Sequence, residues 1–187
     1  APEGPVGDKM ADGVVTIPVS GQPLACEWSL EGEPRSSAAL NEFYAGPENP
    51  LVEPAIQSVL GRQSTRYNPL VLHGPSGTGK SHLARGVAAA WKVNSPRARI
   101  VYVTAIDFAR EWADAIETQS IEDFRARYRT VDLLIVENLG ELAGKPAVQE
   151  ELRQTLDAVM DRRGQVIATA AAAAAQAAAL EPADDVV

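Results

Sequence analysis

The chain has 187 residues, of which 45% are hydrophobic and 22% are charged, and this composition excludes a disordered or fibrous protein. Its formal net charge of −8 argues against a strongly basic nucleic-acid-binding protein. The acidity is concentrated early in the chain, because residues 1–60 contain nine acidic and two basic residues, against sixteen and fifteen in residues 61–187.

Residues 1–42 are rich in glycine and proline and contain only short apolar runs, which predicts a loosely structured, acidic N-terminal arm. Within it, residues 14–19 (VVTIPV) are a candidate edge strand. The arm contains Cys26, the single cysteine, so no intrachain disulfide can form. The sequence shows neither a signal-peptide-like start nor an apolar span of membrane length, so we expect a cytoplasmic protein without membrane contact.

Further along the chain, helix and strand patterns alternate. The helix patterns cover residues 50–60, 80–91, 106–119, 120–129 and 147–164, the last closed by Gly164. The buried strand patterns cover residues 68–74, 99–104, 131–136 and 165–169. This alternation predicts an α/β fold, with a mainly parallel sheet between two layers of helices. The alanine-rich residues 170–180 favour another helix, although the identity of these side chains is left open.

A glycine-rich loop connects the strand at 68–74 to the helix at 80–91. Residues 74–81 (GPSGTGKS) match the phosphate-binding pattern G-x-x-x-x-G-K-[ST] in full. Gly77 and Gly79 permit backbone conformations that point several amide groups into one concavity at the start of the helix. Lys80 can reach the β- and γ-phosphates, and the Ser81 hydroxyl can hold Mg²⁺. We therefore predict binding of ATP or ADP with Mg²⁺ by Gly74, Pro75, Ser76, Gly77, Thr78, Gly79, Lys80, Ser81 and the adjacent His82. His82 also fits a packed or surface position of the helix.

The metal ion of a nucleotide-binding site needs a second acidic contact after a later strand. Glu137 and Asn138 follow the strand at 131–136 and are the candidates: Glu137 for the metal, Asn138 for the attacking water. The amide of Asn138 can orient a water but cannot accept its proton. Thr169, at the end of the strand pattern at 165–169, can contact the γ-phosphate or this water, although a polar residue that simply ends a strand explains these positions as well.

Three segments resemble the ATPase domain of the bacterial replication initiators of the DnaA family, which belong to the AAA+ class of P-loop NTPases. They are FYAGPENPLV (43–52), YNPLVLHGPSGTGKSHL (67–83) and the block at 101–145. The resemblance implies a nucleotide-binding core over residues 43–187, with Pro47 and Asn49 near the base and Thr169 in the first sensor position. It also implies that ATP acts mainly as an assembly switch between initiator-type subunits, and that helices around 106–129 line a path for single-stranded DNA.

The chain departs from the family pattern at several positions. The family has two acids where this chain has Glu137 and Asn138, so we expect weak hydrolysis at most. The lysine-x-arginine of the family is KPA at 145–147, and no arginine follows Arg163. The lid domain and the helix-turn-helix of the family have no counterpart in these residues. The resemblance therefore implies a fragment or a shortened relative, and we expect it to be monomeric and to bind single-stranded DNA weakly.

Two alternative functions remain open. An active ATPase of helicase-loader or transposition-helper type would need another water-polarising group, for which Glu141 is the nearest spare carboxylate. A regulatory partner of the initiator that does not bind DNA fits the acidic charge of the chain. The candidate phosphate contacts are Arg125, Arg127, Arg129 and Lys145, and a solvated helix surface explains the three arginines as well.

Overall fold

The structure, a computed structural model, describes residues 15–18, 50–61 and 67–171. The strands are β1 (Val15–Pro18), β2 (Leu70–Gly74), β3 (Ile100–Thr104), β4 (Leu133–Glu137) and β5 (Gln165–Ala171). The helices are α1 (Val52–Gly61), α2 (Lys80–Asn94), α3 (Ala105–Glu117), α4 (Ile121–Arg129) and α5 (Pro146–Asp161), with a short 3-10 helix at Leu139–Leu142. None of these described helices is long and apolar enough to cross a membrane.

The described strands form one sheet in the order β1-β2-β5-β4-β3, and all neighbouring strands run parallel. The prediction of a mainly parallel sheet is confirmed. The candidate edge strand at 14–19 is also confirmed, because β1 pairs with β2 at one edge of the sheet. The other residues of the predicted N-terminal arm lie outside the described residues.

Two hydrophobic cores lie on opposite faces of the sheet. Every residue of β4 is buried, as expected for a central strand of a parallel sheet. Leu133 and Ile135 pack with α1 and α2, whereas Leu134 and Val136 pack with α3, α4 and α5. This alternation confirms the three-layer α/β/α prediction. It also places the side chain of Glu137 on the α1–α2 face, because alternate residues of a strand share a face.

The structure corrects the prediction for two residues of the alanine-rich segment. Ala170 and Ala171 extend β5 and pair with His73 and Gly74 of β2, so a helix at these two positions is wrong. Sheet pairing and the burial of Ala170 outweigh the helix propensity of alanine here. The remainder of the segment, residues 172–180, lies outside the described residues.

The end of α5 is also formed differently from the sequence prediction. The helix ends at Asp161, and Arg163 has the left-handed backbone conformation with a φ of 62°. Gly164 is needed for close packing instead: a Cβ atom there would lie 2.6 Å from Cγ1 of Val159 and 2.8 Å from the carbonyl oxygen of Val131. Glycine therefore permits the chain to enter β5 directly beneath the helix.

Candidate nucleotide-binding site

The glycine-rich loop connects the carboxyl end of β2 to the first residue of α2. Gly77 and Gly79 have φ angles of 82° and 85°, in the left-handed region that only glycine adopts at little cost. Pro75, Ser76 and Gly77 are exposed, so the outer side of the loop faces solvent. The hydroxyl of Thr78 donates to the carbonyl oxygen of Pro75 at 2.9 Å. The backbone thus turns as predicted and leads directly into a helix N-terminus.

The side chain of Lys80 crosses this loop. Only 9% of the residue is exposed, and its Nζ donates to the carbonyl oxygens of Gly74 (2.9 Å) and Pro75 (2.7 Å). Burial lowers the pKa of Lys80. Burial and the charge of Lys80 likewise lower the pKa of His73, which favours its neutral form. A positive charge is therefore fixed at the loop by two backbone carbonyls.

Glu137 ends β4 with its carboxylate buried. The residue is 3% exposed, and its Oε1 atom has no hydrogen-bond partner among the described residues. Its Oε2 atom lies 3.7 Å from Nη2 of Arg85 on α2. A buried carboxylate oxygen without a hydrogen bond is costly, so a further cationic or donor group is expected to contact it.

Asn138 and Thr169 are joined by a hydrogen bond. Asn138 has the left-handed conformation, with φ 59° and ψ 51°, and is the N-cap residue immediately before the 3-10 helix. Its backbone N–H donates to Oγ1 of the fully buried Thr169 at 3.0 Å. Thr169 does not end its strand as the sequence suggested, because β5 continues to Ala171. The threonine hydroxyl therefore fixes the turn that follows β4.

The residues present fit a nucleotide-associated Mg²⁺ ion. Mg²⁺ in such sites takes one or two protein oxygens and completes its shell with water and phosphate. Ser81 is half-buried in the first turn of α2, and the Oε1 atom of Glu137 is buried without a partner. In the part of the chain that the structure describes, no group of three or more His, Cys, Asp or Glu could hold a metal ion without a nucleotide. A hydroxyl and one carboxylate suit an ion that arrives with phosphates.

Sequence reasoning missed Arg85 and Tyr102, which contact each other and the Glu137 region. Nε of Arg85 donates to the hydroxyl of Tyr102 at 3.2 Å, and its Cζ lies 5.7 Å from the ring centroid. Burial and the neighbouring Glu137 carboxylate raise the pKa of Tyr102. The sequence contained one indication that Arg85 lies beside the site: Arg85 follows Ser81 by four residues, and residues at this spacing share a helix face.

The arginines suggested as phosphate contacts are paired with carboxylates. Arg125 and Arg129 contact the buried Glu151 of α5, at 2.9 and 2.7 Å. Arg127 lies 3.1 Å from Glu111 of α3. These ion pairs join α4 to its neighbouring helices, and they reduce the positive charge that α4 presents to solvent.

The remaining predicted residues are Pro47, Asn49, His82 and Glu141, of which Glu141 contacts Asn138 through its backbone N–H at 2.9 Å. Pro47 and Asn49, expected near the base, lie outside the described residues. His82 is half-buried in the first turn of α2. Glu141 is exposed in the 3-10 helix, and its carbonyl oxygen accepts a hydrogen bond from Nζ of Lys145 at 3.0 Å.

Comparisons with known proteins point to one family. The family model described as the bacterial DnaA ATPase domain matches residues 35–183. The chromosomal replication initiator protein DnaA of Thermomicrobium roseum is 35% identical over 126 residues, which are 67% of this chain and 27% of the relative. Domain III of the Thermotoga maritima initiator is 30% identical with a TM-score of 0.65, covering 70% of this chain and 54% of that one. A DnaA structure with AMPPCP and single-stranded DNA is 28% identical with a TM-score of 0.65, covering 71% of this chain and 41% of that one.

The parallel sheet, the helices on both of its faces and the phosphate-loop sequence define a P-loop α/β domain of the AAA+ type. The match to the family model extends over more than half of the chain. The chain therefore belongs to the family of the bacterial DnaA ATPase domain. It spans about a quarter of the length of the Thermomicrobium relative, whose whole-protein activity is not assigned to it.

Proposed function

We propose that the chain binds ATP or ADP with Mg²⁺ at residues 74–81, in a nucleotide-binding core that covers residues 43–187. The observation that carries this proposal is the loop itself. Two glycines in the left-handed conformation lead into α2, and Lys80 is held at the loop by two carbonyl oxygens. When nucleotide binds, the phosphates become the partners of Lys80 and of the loop amides.

Ser81 and Glu137 would hold the Mg²⁺ ion, which neutralises charge on the β- and γ-phosphates. The partnerless Oε1 of Glu137 supports this role. Pro47 and Asn49 would contact the base, as the family resemblance implies, with His82 beside the loop. Two DnaA structures of similar fold contain AMPPCP, an ATP analogue, and this supports the same ligand class here.

We further propose that the nucleotide acts mainly as an assembly switch, with weak hydrolysis, between initiator-type subunits in the cytoplasm. Asn138 would orient water without accepting its proton, and Thr169 would act through its hydrogen bond to the turn at Asn138. Membership of the initiator family supports the subunit partners. An active helicase-loader or transposition-helper ATPase fits less well, because Glu141 contacts Asn138 only through its backbone N–H, and its exposed carboxylate has no described contact with Glu137 or Asn138.

Calorimetric titration of the chain with Mg·ADP and a slowly hydrolysed ATP analogue tests nucleotide binding. Lys80→Ala removes the loop cation and should weaken binding by roughly 2–3 kcal/mol, the scale of hydrogen bonds to charged groups. This is a loss of about 30- to 150-fold in affinity. Lys92→Ala is the matched control, because Lys92 is exposed near the end of the same helix. Equal affinities of the Lys80 variant and the parent would refute the proposal.

One observation favours a second candidate, a regulatory partner that binds initiator subunits without touching DNA. All three arginines of α4 are paired with carboxylates. The chain also has a net charge of −8. This candidate shares the nucleotide site and differs in its partner, so a complete lack of DNA binding, in place of the weak binding expected of an initiator-type domain, would favour it.

A further inference from the structure

Arg85 connects three elements beside the predicted phosphate end of the site. It follows Ser81 by one helical turn on α2, so both side chains leave the same face of the helix. Its Nε contacts the hydroxyl of Tyr102 on β3, and its Nη2 lies 3.7 Å from Oε2 of Glu137 on β4. The Arg85 side chain is 42% exposed, whereas that of Glu137 is 4% exposed. The guanidinium therefore covers the buried carboxylate on the α2 side.

Register explains why these groups meet. Tyr102 pairs with Ile135, and Thr104 pairs with Glu137, in neighbouring parallel strands. Tyr102 and Glu137 therefore lie on the sheet face that α2 covers, since alternate residues of a strand share a face. Tyr102 packs against the core on this face. Its hydroxyl fixes the Arg85 guanidinium, and the guanidinium lies within ion-pair distance of one carboxylate oxygen.

We propose that Arg85 is a positioning residue and a built-in counter-charge for Glu137, and that it makes nucleotide binding less dependent on Mg²⁺. The inference rests on the proposed function, because it concerns the same site. Because Arg85 already partly neutralises the carboxylate of Glu137, the affinity of this carboxylate for a divalent ion is lowered. The same guanidinium adds a cation near the phosphates, so nucleotide binding without Mg²⁺ is retained.

The test measures the affinity for a fluorescent ADP analogue with excess Mg²⁺ and with EDTA. The dissociation constant in EDTA divided by that in excess Mg²⁺ is a ratio that reports the coupling between metal and nucleotide, and such coupling is reciprocal. In Arg85→Gln this ratio should rise by about tenfold, near the low end of typical couplings between sites. Arg85→Lys, which keeps the charge, should stay close to the parent. Arg85→Met keeps an unbranched apolar side chain at this position, removes the charge and provides the same test if the glutamine variant folds poorly.

Arg153→Gln is the matched control, because Arg153 forms exposed ion pairs with Glu150 and Asp157 on α5. It should leave the ratio unchanged. A merely structural role for Arg85 would lower the melting temperature and leave the ratio at the parent value, which overturns the inference. If the parent binds nucleotide and the ratio is unchanged in the Arg85 variants, only this inference fails. If the parent binds no nucleotide in either buffer, the proposed function fails as well.

Discussion

Asn138 follows Glu137 at the carboxyl end of β4, and its backbone has the left-handed conformation. Asparagine and aspartate enter this region more readily than other residues with a side chain. The described contact of Asn138 with Thr169 uses the main-chain N–H. An aspartate can therefore replace Asn138 with the turn and this hydrogen bond intact, and the exchange adds a proton acceptor at the site.

Asn138→Asp should raise the rate of phosphate release from ATP. A positioned general base typically contributes about 10²–10⁴-fold. We expect the rate of phosphate release to rise by at least about tenfold. The full effect is not expected, because the longer Glu137 side chain does not place the metal as an aspartate would. Adding Glu137→Asp should increase the rate further. Asn94→Asp, the same exchange at the exposed end of α2, is the control in the phosphate-release assay. A rate no higher than that of the parent would show that Asn138 does not limit hydrolysis.

Helices α4 and α5 are joined by the carboxylate of Glu151, which is only 6% exposed. Its two oxygens accept hydrogen bonds from Nε and Nη2 of Arg125, at 3.2 and 2.9 Å, and from Nη2 of Arg129, at 2.7 Å. Burial by itself would raise the pKa of Glu151, but the hydrogen bonds and charges of the two arginines hold it below its ordinary value. The cluster orients the nine-residue α4 against the longer helix.

Glu151→Gln should lower the free energy of unfolding by roughly 2–3 kcal/mol. Removing one partner of a fully buried pair costs about 3–5 kcal/mol, and both arginines here are partly exposed. Chemical denaturation measures the change. Glu150→Gln, on the exposed side of the same helix, should leave the stability near that of the parent. Similar losses in both variants would argue against a special role for the Glu151 cluster.

The stabilisation by Glu151 should depend on pH. Because its pKa is lowered in the folded state, its contribution is fully present above the ordinary value of 4.5 and is lost as the pH falls through the lower, folded-state pKa. The difference in stability between the parent and Glu151→Gln should therefore shrink on acidification below pH 4.5. Denaturation curves across this range measure it. A difference that stays constant would mean that the carboxylate charge contributes little.

The elements show which features the sequence could predict. The loop at 74–81 was predictable because its glycines, lysine and serine act within one local segment. The partners of Arg125 and Arg129 were not, since Glu151 is more than twenty residues away and meets them only when α4 packs on α5. The place of Ala170 and Ala171 in β5 was hidden for a similar reason, because pairing with β2 outweighed local propensity.

At the scale of the whole molecule, the strand order assembles the site. Strands β2, β5 and β4 are neighbours, and parallel strands place their carboxyl ends at one edge of the sheet. The loop after β2, Thr169 in β5 and Glu137 at the end of β4 therefore converge, as ligand sites do in open α/β sheets. This order cannot be deduced from the positions of the strands along the sequence. The sequence could suggest each site residue singly, and the topology brings them together.

By itself, this chain should bind single-stranded DNA weakly and remain monomeric, because the proposed assembly is with other initiator-type subunits. Non-specific affinity comes mainly from basic side chains that release counterions, and the arginines of α4 already have carboxylate partners. We expect dissociation constants of about 10⁻⁴–10⁻⁶ M or weaker near physiological salt, by fluorescence anisotropy on a labelled oligonucleotide. Light scattering should show one molecular mass with and without ATP.

Two outcomes would contradict this expectation: submicromolar DNA binding, or an oligomer that forms with ATP. A comparison of two variants tests whether ion pairing of the α4 arginines is what weakens DNA binding. Glu111→Gln releases Arg127 from its carboxylate and should strengthen DNA binding, whereas Asp114→Asn removes an exposed charge from the same helix. Equal effects of the two variants would indicate that net charge alone, and not the ion pair, controls the affinity.

The identity of the nucleotide that stays bound most directly separates a switch from an active ATPase. The chain is loaded with Mg·ATP, freed of excess nucleotide and kept at 25 °C for about one hour, long enough for thousands of turnovers at a typical enzyme rate of about 1 s⁻¹. Chromatography of the denatured complex then gives the ratio of ATP to ADP. We predict that bound ATP predominates, because Asn138 cannot accept a proton from water. A complex that contains mainly ADP would contradict the proposed switch.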